Sequence, residues 1–225
     1  MLRQTITDSL KFFISHWKVF LLIYTPIFFL QALEFITASL ANPITHMALS
    51  IVYFAAMLAI LPVVYGASIY YMAATISDDL QWPVIFQLIK KNYLSLLVLI
   101  IGVYVATVFG LICLILPGIV IFVKMSFSSF ELLLNNSSPA MSIENSWHQT
   151  KGYFDILLGG MLLIIVPVYI FYYCIYTLLP EYGVMDLFVY GLGMLVEFLV
   201  SALLIIFCFR IYDLYKSDAR ATQDV

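Results

Sequence analysis

Six long apolar stretches, separated by shorter polar segments, dominate this sequence of 225 residues. Hydrophobic residues make up 64% of the chain and charged residues only 10%, whereas soluble domains are about 45–50% apolar and about a quarter charged. A folded core of this size cannot hide so much apolar surface from water, so lipid is the expected solvent. A helix crosses roughly 30 Å of hydrocarbon with about 20 mainly apolar residues. The stretches lie at about 18–40, 44–75, 94–115, 118–134, 154–178 and 185–211.

All six stretches are predicted to be helices, because an open strand edge would leave backbone groups without hydrogen-bond partners in lipid. The sequence therefore predicts an all-α fold, a polytopic membrane protein with six transmembrane helices in one domain, residues 1–225. The first stretch contains Gln31 and Glu34 and exceeds the apolar core of a signal peptide, which is about 7 to 15 residues long. We therefore expect a retained first span.

The positive charges lie almost entirely on one side of the predicted spans. The connections at 41–45, 116–118 and 179–184 contain no Lys or Arg, whereas the other connections and both chain ends are basic. Because basic loops stay on the cytoplasmic side of a membrane, we expect cytoplasmic N- and C-termini. Residues 217–225 would form a short cytoplasmic tail.

An amphipathic segment precedes each odd-numbered span, with apolar side chains at helical spacing. Pro83 and Pro139 stand where first-turn prolines belong, and such helices lie in the headgroup plane. The three segments align at Trp17, Tyr93 and Tyr153, each followed after two residues by an apolar triplet. The sequence thus predicts three interfacial amphipathic helices and three pseudo-repeats of amphipathic helix plus helical hairpin. The repeats cover about 1–76, 77–136 and 137–216.

Three charged residues fall at membrane depth: Glu34, Lys124 and Glu197. Charges at a helix centre are expensive, about 2.5–3.5 kcal/mol for Asp, Lys or Arg. At about 1.5 Å per residue, Glu34 and Lys124 lie at a similar depth, roughly 9 Å below the outer surface, with Glu197 a few ångströms deeper. A cation flanked by two carboxylates can form there. Gln31 shares a helix face with Glu34, and Ser201 shares one with Glu197.

Two main interpretations of these charges remain open. They can form a structural ion-pair network that fixes which helices pack together. Alternatively, Glu34, Lys124 and Glu197 line a cavity as substrate-binding residues that meet a polar substrate, a lipid headgroup or a proton. A third interpretation is that one of the charges snorkels to the interface.

Catalytic and metal-binding patterns are missing from the sequence. It contains no H-E-x-x-H, no G-x-S-x-G and no phosphate-binding glycine loop. The three histidines are isolated from one another, and the three cysteines stand singly without the spacing of a zinc or redox site. No basic stripe could follow a nucleic-acid backbone. We therefore predict no enzyme activity, no cofactor, no metal site and no nucleic-acid partner.

A motif in the second half of the chain resembles a known family. Residues 116–127 begin with L-P-G and carry a cation six residues later, Ser138-Pro139 opens an amphipathic helix, and residues 145–154 contain S-W and T-K-G with aromatic residues. This pattern resembles the YciC-like family of bacterial inner-membrane proteins. It is also similar to the membrane domain fused to some glycerophosphodiester phosphodiesterases, whose catalytic domain has no counterpart in this sequence.

The resemblance implies a multi-pass protein of the bacterial inner membrane in a family without an established activity. The fusion partner makes envelope lipid the implied context, by analogy. The expected function is a lipid-handling or envelope-organising membrane module with membrane lipids as partners. The alternative is a small-solute transporter or channel that uses Glu34, Lys124 and Glu197. A homo-oligomer and a membrane-protein partner are both compatible with the sequence.

Overall fold

The structure, a computed structural model, describes residues 2–40, 42–178 and 184–223. Across these three ranges every regular element is a helix. The elements are α1 (Leu2–Leu40), α2 (Pro43–Ser77), α3 (Trp82–Cys113), α4 (Ile115–Lys124), α5 (Ser128–Leu134), α6 (Pro139–Gln149), a 3₁₀ turn (Thr150–Tyr153), α7 (Phe154–Leu178) and α8 (Val184–Gln223).

Six segments of these helices are long and apolar enough to cross a membrane. They overlap the six predicted apolar stretches, so the all-α fold with six long apolar helices is confirmed, and it supports a multi-pass membrane protein. Two other expectations concern residues that are not described. The predicted outer connection at 179–184 lies outside the described residues except for Val184, and so do the last two residues of the predicted tail.

The junction between an amphipathic segment and the span that follows it is not the same in the three predicted repeats. In α1 and α3 the amphipathic segment runs into the apolar stretch as one continuous helix. Only α6 is a separate helix, and the 3₁₀ turn divides it from α7. As predicted, α6 begins at Pro139, with the Ser138 hydroxyl accepting a hydrogen bond from the Met141 amide at 3.4 Å.

The fourth apolar stretch is interrupted in its middle. α4 ends at Lys124 after ten residues, and α5 begins only at Ser128. The preceding turn lies at Leu114, whose backbone is extended, rather than at the predicted residues 116–118. Pro117 therefore falls in the first turn of α4, where its missing N–H removes no helical hydrogen bond.

Small residues allow α3 and α4 to pack closely behind this turn. A Cβ atom on Gly110 would lie 2.9 Å from the Gly118 Cα, and one on Gly118 would lie 2.6 Å from the Leu111 amide nitrogen. Atoms cannot approach so closely without moving the backbone, so the tight hairpin requires glycine at both positions.

α8 is the most buried of the six membrane-length helices and packs against α1, α2 and α7. Its inward face carries Phe207, which is fully buried and lies directly against Gly160 of α7. Aromatic rings join α5 to α8. Phe130 of α5 and Phe127, the residue before α5, each contact Tyr212 of α8, with ring centroids 5.3–5.4 Å apart. Close packing of this kind supplies most of the helix association energy in lipid, where the hydrophobic drive between helices is weak.

Candidate functional site: a laterally open cavity

A cavity of about 630 Å³ lies among α2, α3, α4, α5, α7 and α8. This volume falls within the roughly 300–1,000 Å³ that small-molecule pockets occupy. The walls are mainly apolar side chains from four helices: Ile100 and Val103 of α3, Ile119 of α4, Leu158 and Met161 of α7, and Val200 and Leu204 of α8. Such walls suit a hydrocarbon chain better than a water-soluble solute.

The cavity reaches the outer surface of the bundle between the α3–α4 hairpin and α7. Val108, Leu111 and Phe122 line it from the hairpin side, and Leu162 and Tyr169 line it from α7. All five side chains are also 41–50% exposed. The opening therefore lies on the side of the bundle, along the apolar helices α3, α4 and α7.

Glu197 and Cys208 of α8 both line the cavity and lie three helical turns apart. At about 1.5 Å per residue the eleven-residue separation corresponds to roughly 16 Å. Serines 126, 128 and 129, at the interruption between α4 and α5, also contribute to the wall.

Two hydroxyl groups in the cavity wall have no hydrogen-bond partner within the described part of the chain. They are Thr107 Oγ1 on α3 and Ser126 Oγ in the α4–α5 turn. Buried hydroxyls are normally satisfied. Both oxygen atoms are themselves buried in the wall.

The Glu197 carboxylate is held by α1. Gln31 Nε2 donates a hydrogen bond to Glu197 Oε2 at 2.5 Å, and the Tyr190 hydroxyl donates to the Gln31 carbonyl at 2.7 Å. Glu197 also lines a second, smaller cavity of about 80 Å³ that Tyr24 and Tyr104 border. Among the residues that the structure describes, no basic group lies within 4.0 Å of this carboxylate.

The structure separates the three predicted site residues. Glu34 is half-buried near Tyr190 and lines neither cavity. Lys124 lies elsewhere: its Nζ is 3.5 Å from the Trp147 carbonyl oxygen and 5.5 Å from the centre of the Phe154 ring. The expected cation between two carboxylates is therefore wrong, and of the three only Glu197 belongs to the cavity.

The interruption of the fourth span explains where Lys124 lies. Lys124 is the last residue of α4, so its cation meets the negative end of the helix dipole and nearby aromatic faces instead of a carboxylate. A depth calculated for one continuous helix does not apply to a helix that ends there.

Two residues of the S-W and T-K-G motif satisfy the backbone at this interruption. The fully buried Ser146 hydroxyl donates to the Lys124 carbonyl at 2.7 Å and accepts from the Phe127 amide at 3.1 Å. The Thr150 hydroxyl donates to the Ser146 carbonyl at 2.7 Å and lies 3.3 Å from the Lys124 carbonyl oxygen. A span can be broken within a membrane only where such groups replace the lost helical bonds.

Sequence reasoning missed the most densely bonded charge among the residues that the structure describes. Glu131 of α5 is 2% exposed, and its carboxylate lies 3.1 Å from Lys216 Nζ. It also accepts hydrogen bonds from the Tyr212 hydroxyl at 2.7 Å and from Asn135 Nδ2 at 2.8 Å. Asn145 Nδ2 lies 3.3 Å from its other oxygen. The sequence feature that could have identified Glu131 was a carboxylate inside the fourth apolar stretch, four residues before an asparagine.

Comparison with known proteins leaves the cavity as the main guide to function. No protein-family model matches the chain, and neither a curated protein nor a solved structure is significantly similar to it.

Proposed function

We propose that this protein is a non-catalytic, multi-pass membrane module that binds one lipid-like molecule in the cavity beside α8. The observation that carries this proposal is the lateral opening between the α3–α4 hairpin and α7, where lining side chains are also exposed on the lipid-facing surface. A ligand dissolved in the bilayer could enter through it without crossing water. The apolar wall would hold its hydrocarbon part, and the polar lining groups would hold its head.

Obstruction of the cavity is expected to abolish lipid retention. In Thr107→Trp a large ring replaces a small side chain that lines the cavity and whose hydroxyl lacks a partner among the described residues. We expect the affinity for the retained lipid to fall about tenfold, which corresponds to about 1.4 kcal/mol of binding free energy, and the lipid-bound fraction of the purified protein to fall with it. Native mass spectrometry of protein extracted in mild detergent measures this fraction directly.

The matched control is Thr25→Trp. Thr25 is exposed on α1, and its hydroxyl donates a hydrogen bond to the Leu21 carbonyl of the same helix at 2.9 Å. This variant should retain lipid like the unmodified protein. Equal lipid occupancy in both tryptophan variants would contradict the proposal, and so would a complete lack of retained lipid in the unmodified protein.

A small-solute transporter or channel is the second candidate. The observation that favours it is the broken fourth span, whose serines line the cavity close to the interruption, because discontinuous helices often form substrate sites in transporters. The cavity includes Glu197 but neither Glu34 nor Lys124, so only one of the predicted charges is available to a solute. A water-soluble molecule in the same mass spectra, in place of lipid, would favour this candidate.

We further propose that α6 and the N-terminal parts of α1 and α3 lie at the membrane surface, as the sequence pattern predicts. Trp17 and Trp147 are 46% and 41% exposed, as suits residues at headgroup level. We also propose that the chain contains three structural repeats, that it is a member of the YciC-like family and that it lies in the bacterial inner membrane. The basic connections would then face the cytoplasm.

Cysteine labelling tests this orientation. Lys151→Cys places an exposed thiol on the proposed cytoplasmic side, and Thr45→Cys places one on the opposite side. Both are made in a chain whose exposed Cys113 and Cys174 are replaced by serine. In intact cells a membrane-impermeant maleimide should label the Thr45→Cys protein but not the Lys151→Cys protein, which should become labelled after lysis. The reverse pattern would overturn the orientation.

A further inference from the structure

The environment of Glu197 indicates what kind of head group the cavity accepts, provided that the cavity binds a lipid-like molecule as proposed above. Glu197 is exposed beside the cavity, and a carboxylate at membrane depth is costly unless a cation or a proton compensates its charge. Gln31 supplies a neutral hydrogen bond, which leaves the negative charge in place. Since no basic group of the described residues lies within 4.0 Å, a cation from the ligand could supply the missing charge.

The groups around Glu197 suit an ammonium ion. Ser201, one helical turn further along α8, lines the same two cavities as Glu197, and so does the phenol of Tyr104. A primary ammonium has three N–H donors, which matches one carboxylate and two hydroxyl oxygens. Tyr65 and Tyr169 also line the larger cavity, and the faces of aromatic rings attract cations.

A metal ion fits this part of the cavity less well. Calcium binds six to eight oxygen ligands and magnesium six, usually with more than one carboxylate or with phosphate. Here Glu197 is the single carboxylate among the lining residues. An organic cation with an apolar tail satisfies both the charge and the apolar wall that extends toward Cys208.

We infer that the cavity binds an amphiphile with a primary ammonium head group at Glu197 and one alkyl tail along α8 toward Cys208. The tail would lie against Val200 and Leu204, and the lateral opening would admit the molecule from the bilayer. The carboxylate then provides head-group selectivity, and the apolar wall provides most of the contact area.

Three probes with the same tail test the inference: tetradecylamine, tetradecanol and tetradecanoate, each titrated into delipidated protein and quantified by native mass spectrometry. We expect the amine to bind the unmodified protein at least tenfold more tightly than the alcohol, and tetradecanoate to bind most weakly. In Glu197→Gln the amine should lose about tenfold in affinity while the alcohol changes less than twofold. Retained alcohol binding shows that the variant is folded.

Glu34→Gln is the matched control, because Glu34 is the neighbouring carboxylate on α1 but lines neither cavity. It should leave the preference for the amine unchanged. Equal binding of amine and alcohol to the unmodified protein would overturn the head-group inference but leave the lipid cavity intact. If Thr107→Trp binds all three probes as tightly as the unmodified protein, the lipid cavity itself is overturned.

Discussion

Glu131→Leu is expected to lower the free energy of unfolding by about 3 kcal/mol, at the lower end of the range for breaking a buried ion pair. The carboxylate is 2% exposed and bonds to Lys216, Tyr212 and Asn135. Its removal leaves the buried Tyr212 hydroxyl without that acceptor. The expected loss lies at the lower end of this energy range because Lys216 is 31% exposed and can turn toward water. Denaturant unfolding in detergent micelles measures the loss.

Glu144→Leu is the control for this prediction. Glu144 is an exposed carboxylate on α6, and surface substitutions usually change stability by less than about 0.5 kcal/mol. In addition, Glu131→Leu combined with Lys216→Met should cost less than the sum of the two single changes, because the double variant leaves no unpaired charge. Equal stability of the Glu131→Leu and Glu144→Leu proteins would show that the cluster contributes nothing.

Gly160→Ala is the second substitution with a large expected effect. A methyl group on Gly160 would overlap the ring of Phe207, which is fully buried on α8. Overpacking of a dense core costs about 1–3 kcal/mol, and α7 and α8 would have to separate to relieve it. We expect a lower thermal midpoint in detergent than for the unmodified protein.

Gly159→Ala controls for the intrinsic helix preference of alanine. Gly159 is the adjacent residue of α7, and a methyl group there would meet only Leu2 Cδ2 at 3.5 Å, an ordinary contact. This variant should be as stable as the unmodified protein or more stable, since Ala exceeds Gly in helix propensity by about 1 kcal/mol. Phe207→Leu should partly rescue Gly160→Ala. Equal midpoints for the two alanine variants would contradict the packing argument.

The Glu131 cluster also bears on the cavity. α5 carries Glu131 as well as Ser129 and Phe130, which line the cavity beside Cys208. The bonds from Glu131 to Tyr212 and Lys216 hold α5 against α8. Stability at this cluster therefore supports the shape of the proposed binding site, although none of its charges lines the cavity.

Hydrophobicity alone determined the membrane fold of this protein. An apolar stretch long enough to cross a bilayer must be helical because lipid offers no hydrogen bonds to the backbone. This constraint is local, so all six spans could be predicted from the order of the residues, and so could the start of α6 at Ser138 and Pro139. The sharing of a helix face by Glu197 and Ser201 also follows from helical periodicity.

Tertiary structure decided which charges meet. Lys124 was expected beside Glu34 and Glu197, but α4 ends at Lys124, where Ser146, more than twenty residues later, bonds to the backbone carbonyl. Glu197 instead meets Gln31, and Glu131 meets Lys216. Such pairs depend on the packing of helices that are distant in sequence. Depth along a single helix does not contain that information, since it fixes the height of a side chain but not the neighbour that it faces.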